Sequence, residues 1–418
     1  MTSPEPEEKK RWPLALGLGV AAVAASVWLT LAPPEVPDSG LDFVPSAEES
    51  VRIDQLRAQI NAKNTAFRDA DVRDPDNAKL FTYMAATSDN PLVVHAALAA
   101  IGSAYSSRSE TKAAPDDDLQ RVLVRHMSSP DPKSAELAFA AARIPLMTEA
   151  PPPELIAALA SLINSDLELV RRYRALETLN LLRPSLRNET ARAAFSKSLE
   201  RSEPAVVSLA LFALSESKEP LSEARDTELL ELGQRVKPLL SHENPGVRGR
   251  ALQLLTEIPS LMERSELESR AITALSDPHP YVRGQALDTL AASTNPNLVR
   301  SFLPLTRDMA EARYDIEAGT NLKGEPLLLP HDIPGRRRVA EAALFALRSV
   351  RAKAVQNGTL PEEPELVLAL GAEMPSEAAL KTAADAAAAW AEKVFPGEGA
   401  PVHHTQKSPA EPSPVLTP

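Results

Sequence analysis

Two groups of arginines and one pair of histidine-bearing turns are the places where side-chain type and spacing suggest chemistry in this 418-residue chain. Arg171, Arg172 and Arg174, with Arg183 and Arg187 close behind, form the densest positive group in its middle. A guanidinium presents a planar fork of donors that fits a carboxylate, so this group would receive an acidic peptide or an anionic polymer. Internal pairing competes with that reading, because Asp166, Glu168, Glu177 and Glu189 lie within helical reach. The second group, Arg336, Arg337 and Arg338, ends a stretch that also carries Arg313, Tyr314 and His331. All nine of these residues, Arg183 and Arg187 aside, are candidate contacts for a protein partner. His242, Glu243 and His279 have the side chains of a metal site and fall in comparable turns, but three ligands on one rim are few for a resident ion.

Catalytic signatures are missing. The chain has no Gly-x-x-x-x-Gly-Lys-Ser/Thr, no Gly-x-Ser-x-Gly and no His-Glu-x-x-His, so nucleotide, serine-hydrolase and zincin chemistry have no support. With no cysteine, thiolate metal sites, disulfides and a lipid-modified cysteine are excluded, and stability must come from packing. A formal net charge of -12 argues against a nucleic-acid partner, since neutralising phosphates needs a basic surface. Beyond residue 32 the sole tryptophan is Trp390, too little for a stacking platform. No catalytic residue, metal or cofactor is expected, and the chain reads as a non-enzyme.

The elements that would position these side chains recur. A central alanine repeats at Ala97, Ala138, Ala175, Ala210, Ala251, Ala286 and Ala343, with steps of 41, 37, 35, 41 and 35 residues and then one of 57. Six residues earlier stand Pro91, Pro132, Leu169, Pro204, Pro245, Pro280 and Arg337, and a large apolar residue follows each alanine directly. In the best copy Val282, Ala286, Leu287 and Leu290 have the spacing of one helical stripe. Proline starts that helix and breaks the chain before it, so the upstream segments 119–127, 153–163, 190–199, 228–240 and 266–275 are separate helices. Each copy is then a helical hairpin whose apolar stripe is covered only when neighbours stack on it.

The pattern resembles the HEAT repeat family, including its bacterial HEAT-like variants, over residues 78–350. The resemblance rests on Asp277, Pro280, Val282, Arg283, Ala286 and Leu287, and on the second Val-Arg pair, Val247 and Arg248. Val94, Ala135, Val207 and Ala340 hold the arginine position elsewhere. The family likeness implies an all-α solenoid that serves as an interaction scaffold with no chemistry attached. Some HEAT-repeat enzymes bind two irons through several His-Glu pairs. This chain has one, His242-Glu243, which leaves a metal-dependent or lyase-type enzyme, and a structural spacer, as alternatives to the scaffold.

Residues 13–32 contain no charge, and at about 1.5 Å per helical residue they cover about 30 Å, the thickness of a bilayer core. Lys9, Lys10 and Arg11 precede them, whereas Glu35, Asp38 and Asp42 follow. The positive-inside bias keeps the N-terminus in the cytoplasm and predicts a single-pass inner-membrane protein with its bulk extracytoplasmic or periplasmic. Cleavage near Ala22, Val23 and Ala24 and secretion is the alternative. The expected organisation is a cytoplasmic segment (1–12), a transmembrane helix (13–32), a flexible linker (33–50), a repeat domain (51–395) and a Pro-rich disordered tail (396–418). Within the repeat domain, residues 51–67 and 377–395 read as terminal helices, and 306–338 is an insertion, the expected binding loop. A partner would dock there or on the concave face.

Overall fold

The computed structural model describes residues 41–60, 66–107, 117–143, 151–182, 188–216, 226–368 and 375–396. The span expected at 13–32, residues 33–40 of the linker, the tail from 397 on, Arg183 and Arg187 lie outside them. Among the described residues no helix is long and apolar enough to cross a membrane. The stretch expected as one repeat domain divides into two compact units, one formed by the described residues up to 107 with 117–122, the other by those from 123 on.

In the first unit, α1 (Ala47–Arg57) starts four residues before the helix expected from residue 51, because Ser46 and Glu49 close a capping box. Glu49 N–H donates to Ser46 Oγ at 3.2 Å and Ser46 N–H to Glu49 Oε2 at 2.7 Å. After α2 (Asp69–Val72) come α3 (Ala78–Thr87) and α4 (Pro91–Ser107), an antiparallel pair packed through Phe81, Met84, Leu98 and Ile101. Asp118, at the start of α5 (Asp117–Met127), accepts the N–H groups of Asp42 and Phe43 at 2.8 Å each and pairs with Arg121 at 2.7 Å. A buried carboxylate is thereby fully satisfied.

The second unit is the array. Its first helices are α7 (Pro153–Asn164), α9 (Glu189–Ser198), α11 (Asp226–Val236), α13 (Arg264–Ala274) and α15 (Leu298–Phe302). The second helices are α6 (Pro132–Ala141), α8 (Leu169–Leu181), α10 (Pro204–Ser215), α12 (Pro245–Glu257), α14 (Pro280–Leu290) and α16 (Val339–Gln356). Each second helix packs on the next, so they form one continuous layer. The alanines at 138, 175, 210, 251, 286 and 343 are all fully buried, and a larger side chain at any of them would push two helices apart. Val282, Leu287 and Leu290 are likewise at most 1 % exposed, each contributing roughly 1.5–3 kcal/mol by burial. Capping explains the starts: Asp131, Asn244 and His279 accept backbone N–H groups ahead of a proline at the first helical positions. The helix expected over 228–240 stops at Val236 and tightens into a 3-10 turn, Lys237–Ser241, where Pro238 has no N–H to give.

The fold is therefore helical-repeat but not all-α. The insertion, expected as a loop, contains an antiparallel hairpin of β1 (Tyr314–Thr320) and β2 (Pro326–His331), paired Tyr314 to His331 and Ile316 to Leu329. Residues alternate inward and outward along it, with Ile316, Ala318, Leu329 and His331 buried and Glu317, Leu328 and Pro330 exposed. Pro330 is tolerated because a two-stranded sheet leaves each strand one free edge for a missing donor. The tip turns on Asn321, whose Oδ1 accepts Lys323 N–H at 2.9 Å and Glu325 N–H at 3.0 Å, and on Gly324 at φ +77°. The stem is closed by Ala312 N–H to Arg337 O (2.7 Å) and Val339 N–H to Ala310 O (3.1 Å). Finally α17 (Glu377–Val394) packs Leu380, Ala384, Ala387 and Trp390 against α16 and the 3-10 turn at Leu303–Arg307.

Candidate functional site

The hairpin arises in the turn between the two helices of the last repeat and reaches back over the layer of second helices. Its path is marked by glycines, where a β-carbon would strike the strap. One at Gly284 of α14 would meet Ile333 Cδ1 at 2.3 Å, one at Gly246 of α12 would meet Ile316 Cδ1 at 2.6 Å, and one at Gly319 of the hairpin would meet Val170 of α8 at 2.6 Å. Ser208 of α10 completes the series by bonding His331 Nε2 at 2.5 Å. The hairpin is thus a strap across four consecutive repeats. Gly249 serves the same seat from below, since a β-carbon there would lie 2.2 Å from the ring of Tyr281, which is itself under His331.

His331 is wholly buried, so the residue expected at the surface is instead the pin of the strap. The reason is its inward register on β2. Its Nδ1 donates to Leu329 O at 2.8 Å, which leaves Nε2 as the acceptor of the Ser208 hydroxyl. Burial, with the Arg250 guanidinium nearby, pushes the imidazole down to about 4. A serine and a neutral histidine at this distance resemble a nucleophile and its base, yet both are sealed from solvent, so the pair acts as a structural clasp. Tyr314 stands at the edge of the seat, taking a hydrogen bond from Asn244 Nδ2 at 3.3 Å and an edge-on contact with the His279 ring at 4.8 Å between centroids. Tyr281 is buried with its hydroxyl unpartnered, and burial raises that phenol to about 12.

The remaining sequence candidates do not converge. Arg172 pairs with Glu203 of the next repeat, Arg174 with Glu136 of the previous one and with Glu177, both at 2.7 Å, and Arg171 donates to Pro130 O at 3.0 Å. Arg313 pairs with its neighbour Asp315 at 3.1 Å on the exposed side. Arg336 pairs with Asp288 at 2.8 Å and lies 3.6 Å over the Phe345 ring, Arg338 reaches Glu377 at 3.2 Å, and Arg337 is exposed. The two arginine groups are largely spent on holding repeats to one another.

A regular ladder accounts for two more arginines. Arg248 pairs with Asp277 at 2.8 Å and donates to the carbonyls of His242 and Glu243, while Arg283 pairs with Asp308 at 2.6 Å and donates to those of Asp277 and Pro278. His242 and His279 each spend Nδ1 as a cap, accepting the N–H two residues on at 3.0 and 3.2 Å. Among the described residues no group of three or more His, Asp or Glu is placed to hold a metal ion.

Arg250 departs from this pattern. It is the one lysine or arginine in the buried set of described residues, 7 % exposed, and it faces the strap. Its guanidinium donates to Gln253 Oε1 at 2.6 Å and to Pro330 O at 3.3 Å and stacks on Phe212 at 4.7 Å, with Nε unpartnered and no carboxylate in contact. Sequence reading passed over Arg250, Ser208, Tyr281 and Asp308. The available signal was the glycines at 246, 249 and 284 inside helical patterns, which point to close approach by another part of the chain.

No family model and no curated protein matches this chain. Among solved structures it is similar to Kap95p in complex with RanGDP, at 12% identity over 84% of this chain and 44% of that one, with a TM-score of 0.47. Kap121p is similar at 15% identity over 83% of this chain and 36% of its own, TM-score 0.46. A designed armadillo repeat protein is similar at 14% identity over 56% of this chain and 99% of that one, TM-score 0.33. The chain spans less than half the length of Kap95p and Kap121p.

Proposed function

We propose that this chain is a single-span membrane protein whose repeat array, carried outside the cytoplasm, docks another protein at the strapped face. The strap carries the reading. An insertion in one turn lies across the second helices of four repeats, although stacking those repeats does not require it. Its outer side leaves Leu322 and Leu328 each 51% exposed, beside exposed Glu317 and Arg337. An apolar centre with a charged rim is what a protein contact uses. Binding rather than catalysis is the activity, because the one serine-histidine pair at the site is closed to substrate. Membrane attachment is supported by twenty uncharged residues at 13–32 behind Lys9, Lys10 and Arg11.

Photo-cross-linkers placed at Leu322 and Leu328 in intact cells test the docking, with the exposed Leu230 and Ile272 of the first helices as controls. The hairpin positions are expected to trap one defined protein and the controls none. Equal labelling from all four positions, or none from the hairpin, sinks the reading. Protease added outside the cytoplasmic membrane is expected to degrade the array while sparing the N-terminus.

A further inference from the structure

The strap is fastened by side chains where it crosses the array. Its strands bond each other and its stem closes on itself, whereas among the described residues no backbone hydrogen bond joins the strands to the helices beneath. The attachment is made by side chains: His331 to Ser208 and the Tyr281 ring, Asn244 to Tyr314, Arg250 to Pro330 O, Arg336 to Asp288, and the apolar contacts at Gly246, Gly284 and Gly319. Lifting it therefore breaks no backbone hydrogen bond between the strands and those helices.

What it covers is a charge without a counter-charge. Removing a guanidinium from water costs several kcal/mol unless it is paired. Arg248, Arg283, Arg172, Arg174 and Arg336 all have a carboxylate, but Arg250 has an amide, a ring face and one long bond to a carbonyl. Gln253 in turn donates to Glu257 at 3.2 Å, and Asp315 and Asp332 act on the same seat without pairing with Arg250. A carboxylate in the place of Pro330 O would replace that long bond to a neutral carbonyl with an ion pair, which the guanidinium fork can meet with two hydrogen bonds. The remaining seat accepts an extended chain, as β1 shows by laying Ile316 against Gly246.

We propose that the 314–331 hairpin is a removable occupant of the second-helix face, and that the ligand taking its place is an acidic extended peptide whose carboxylate pairs with Arg250. The inference rests on the docking function above and names the chemistry of the partner segment.

The test uses a reversible lock in the full chain. The chain has no cysteine of its own. A β-carbon at 246 would lie 3.0 Å from Ile316 Cγ1. Cγ1 marks a position that the sulfur of a cysteine at 316 can take, so Gly246→Cys with Ile316→Cys brings two sulfurs within reach of a disulfide. The probe is a fluorescein-labelled peptide of alternating Val and Glu, with Gln and Lys versions in the Glu positions as controls. Wild-type protein and the reduced double variant are expected to bind the Glu peptide at least about tenfold tighter than the Gln one, as a close charge pair provides. Oxidation should abolish binding and reductant restore it, which separates a closed strap from a misfolded protein. Arg250→Gln should erase the preference for Glu over Gln, and Arg250→Lys should keep part of it. Binding that is equal for Glu and Gln peptides, unaffected by oxidation, or absent altogether overturns the proposal. A partner trapped in cells without acidic-peptide binding discards this ligand and leaves the docking function standing.

Discussion

The sixth and seventh repeats use the same turn chemistry and spend it differently. In the sixth, Asp277 accepts His279 N–H at 2.8 Å and pairs with Arg248 of the repeat before, and α14 begins at once with Pro280. In the seventh, Asp308 accepts Ala310 N–H at 3.1 Å and pairs with Arg283, but the second helix resumes only at Val339. The two ends of the insertion are held together by Ala340 N–H to Asp308 O at 2.8 Å. An ionic staple placed at the mouth of a turn leaves the turn's length free, since loop-closure entropy grows only as the logarithm of length. The array can thus carry a strap without altering its stacking.

That equivalence can be broken at several depths. If the cores are alike, Leu287→Ala and Leu344→Ala, at fully buried positions of the sixth and seventh repeats, should each cost about 4 kcal/mol in urea unfolding. A much smaller loss in the seventh would mean the insertion loosens its own repeat. Gly249→Val should cost about 3 kcal/mol by overpacking the Tyr281 ring, and hydrogen exchange should show the strap, not the ladder, opening first.

Acid acts more strongly on the seventh turn, because its His331 is wholly buried, whereas burial lowers the half-buried His279 of the sixth turn in the same direction. His331 titrates at about 4 in the fold against an ordinary 6.5, so the unfolded chain binds its proton first. Stability on this account is complete above pH 6.5, declines by roughly 2 to 3 kcal/mol as pH falls toward 4, and flattens below. His331→Gln should remove most of that slope from a series of melts across this range, leaving the smaller part that His279 contributes. Arg250, Asp315, Tyr314 and Tyr281 are the charged and titratable groups that face the imidazole. Asp277→Ala and Asp308→Ala should each lose about 2 kcal/mol and by the same amount in both turns, measured as shifts in denaturation midpoint. The smallest change belongs to the exposed pair Arg235 and Glu200, where Arg235→Ala should move stability by under about 0.5 kcal/mol.

The repeats were open to sequence reading because proline, the central alanine and the apolar stripe are local consequences of helix geometry. The strap was not. Tyr314, Ile316 and Leu329 alternate as strand residues do, but Pro326 and Pro330 in the second strand weaken the pattern, and the two strands lie across a tip that only pairing reveals. The arginine groups show the same limit. Arg172 and Arg174 find Glu203 and Glu136 in neighbouring repeats, 31 and 38 residues away in sequence, where nearby charges had looked sufficient.

Taken alone, the residue order determined the helical hairpins, their starts, and which face of each is buried, because those follow from backbone donors, proline and apolar periodicity within one repeat. Only the tertiary structure decided that an insertion folds as a hairpin, that it lies back over the array with His331 beneath it, and that Arg250 is buried without an acid. These outcomes depend on which side chains meet across more than a hundred residues, as Ser208 and His331 do at a separation of 123, and no local spacing encodes that meeting.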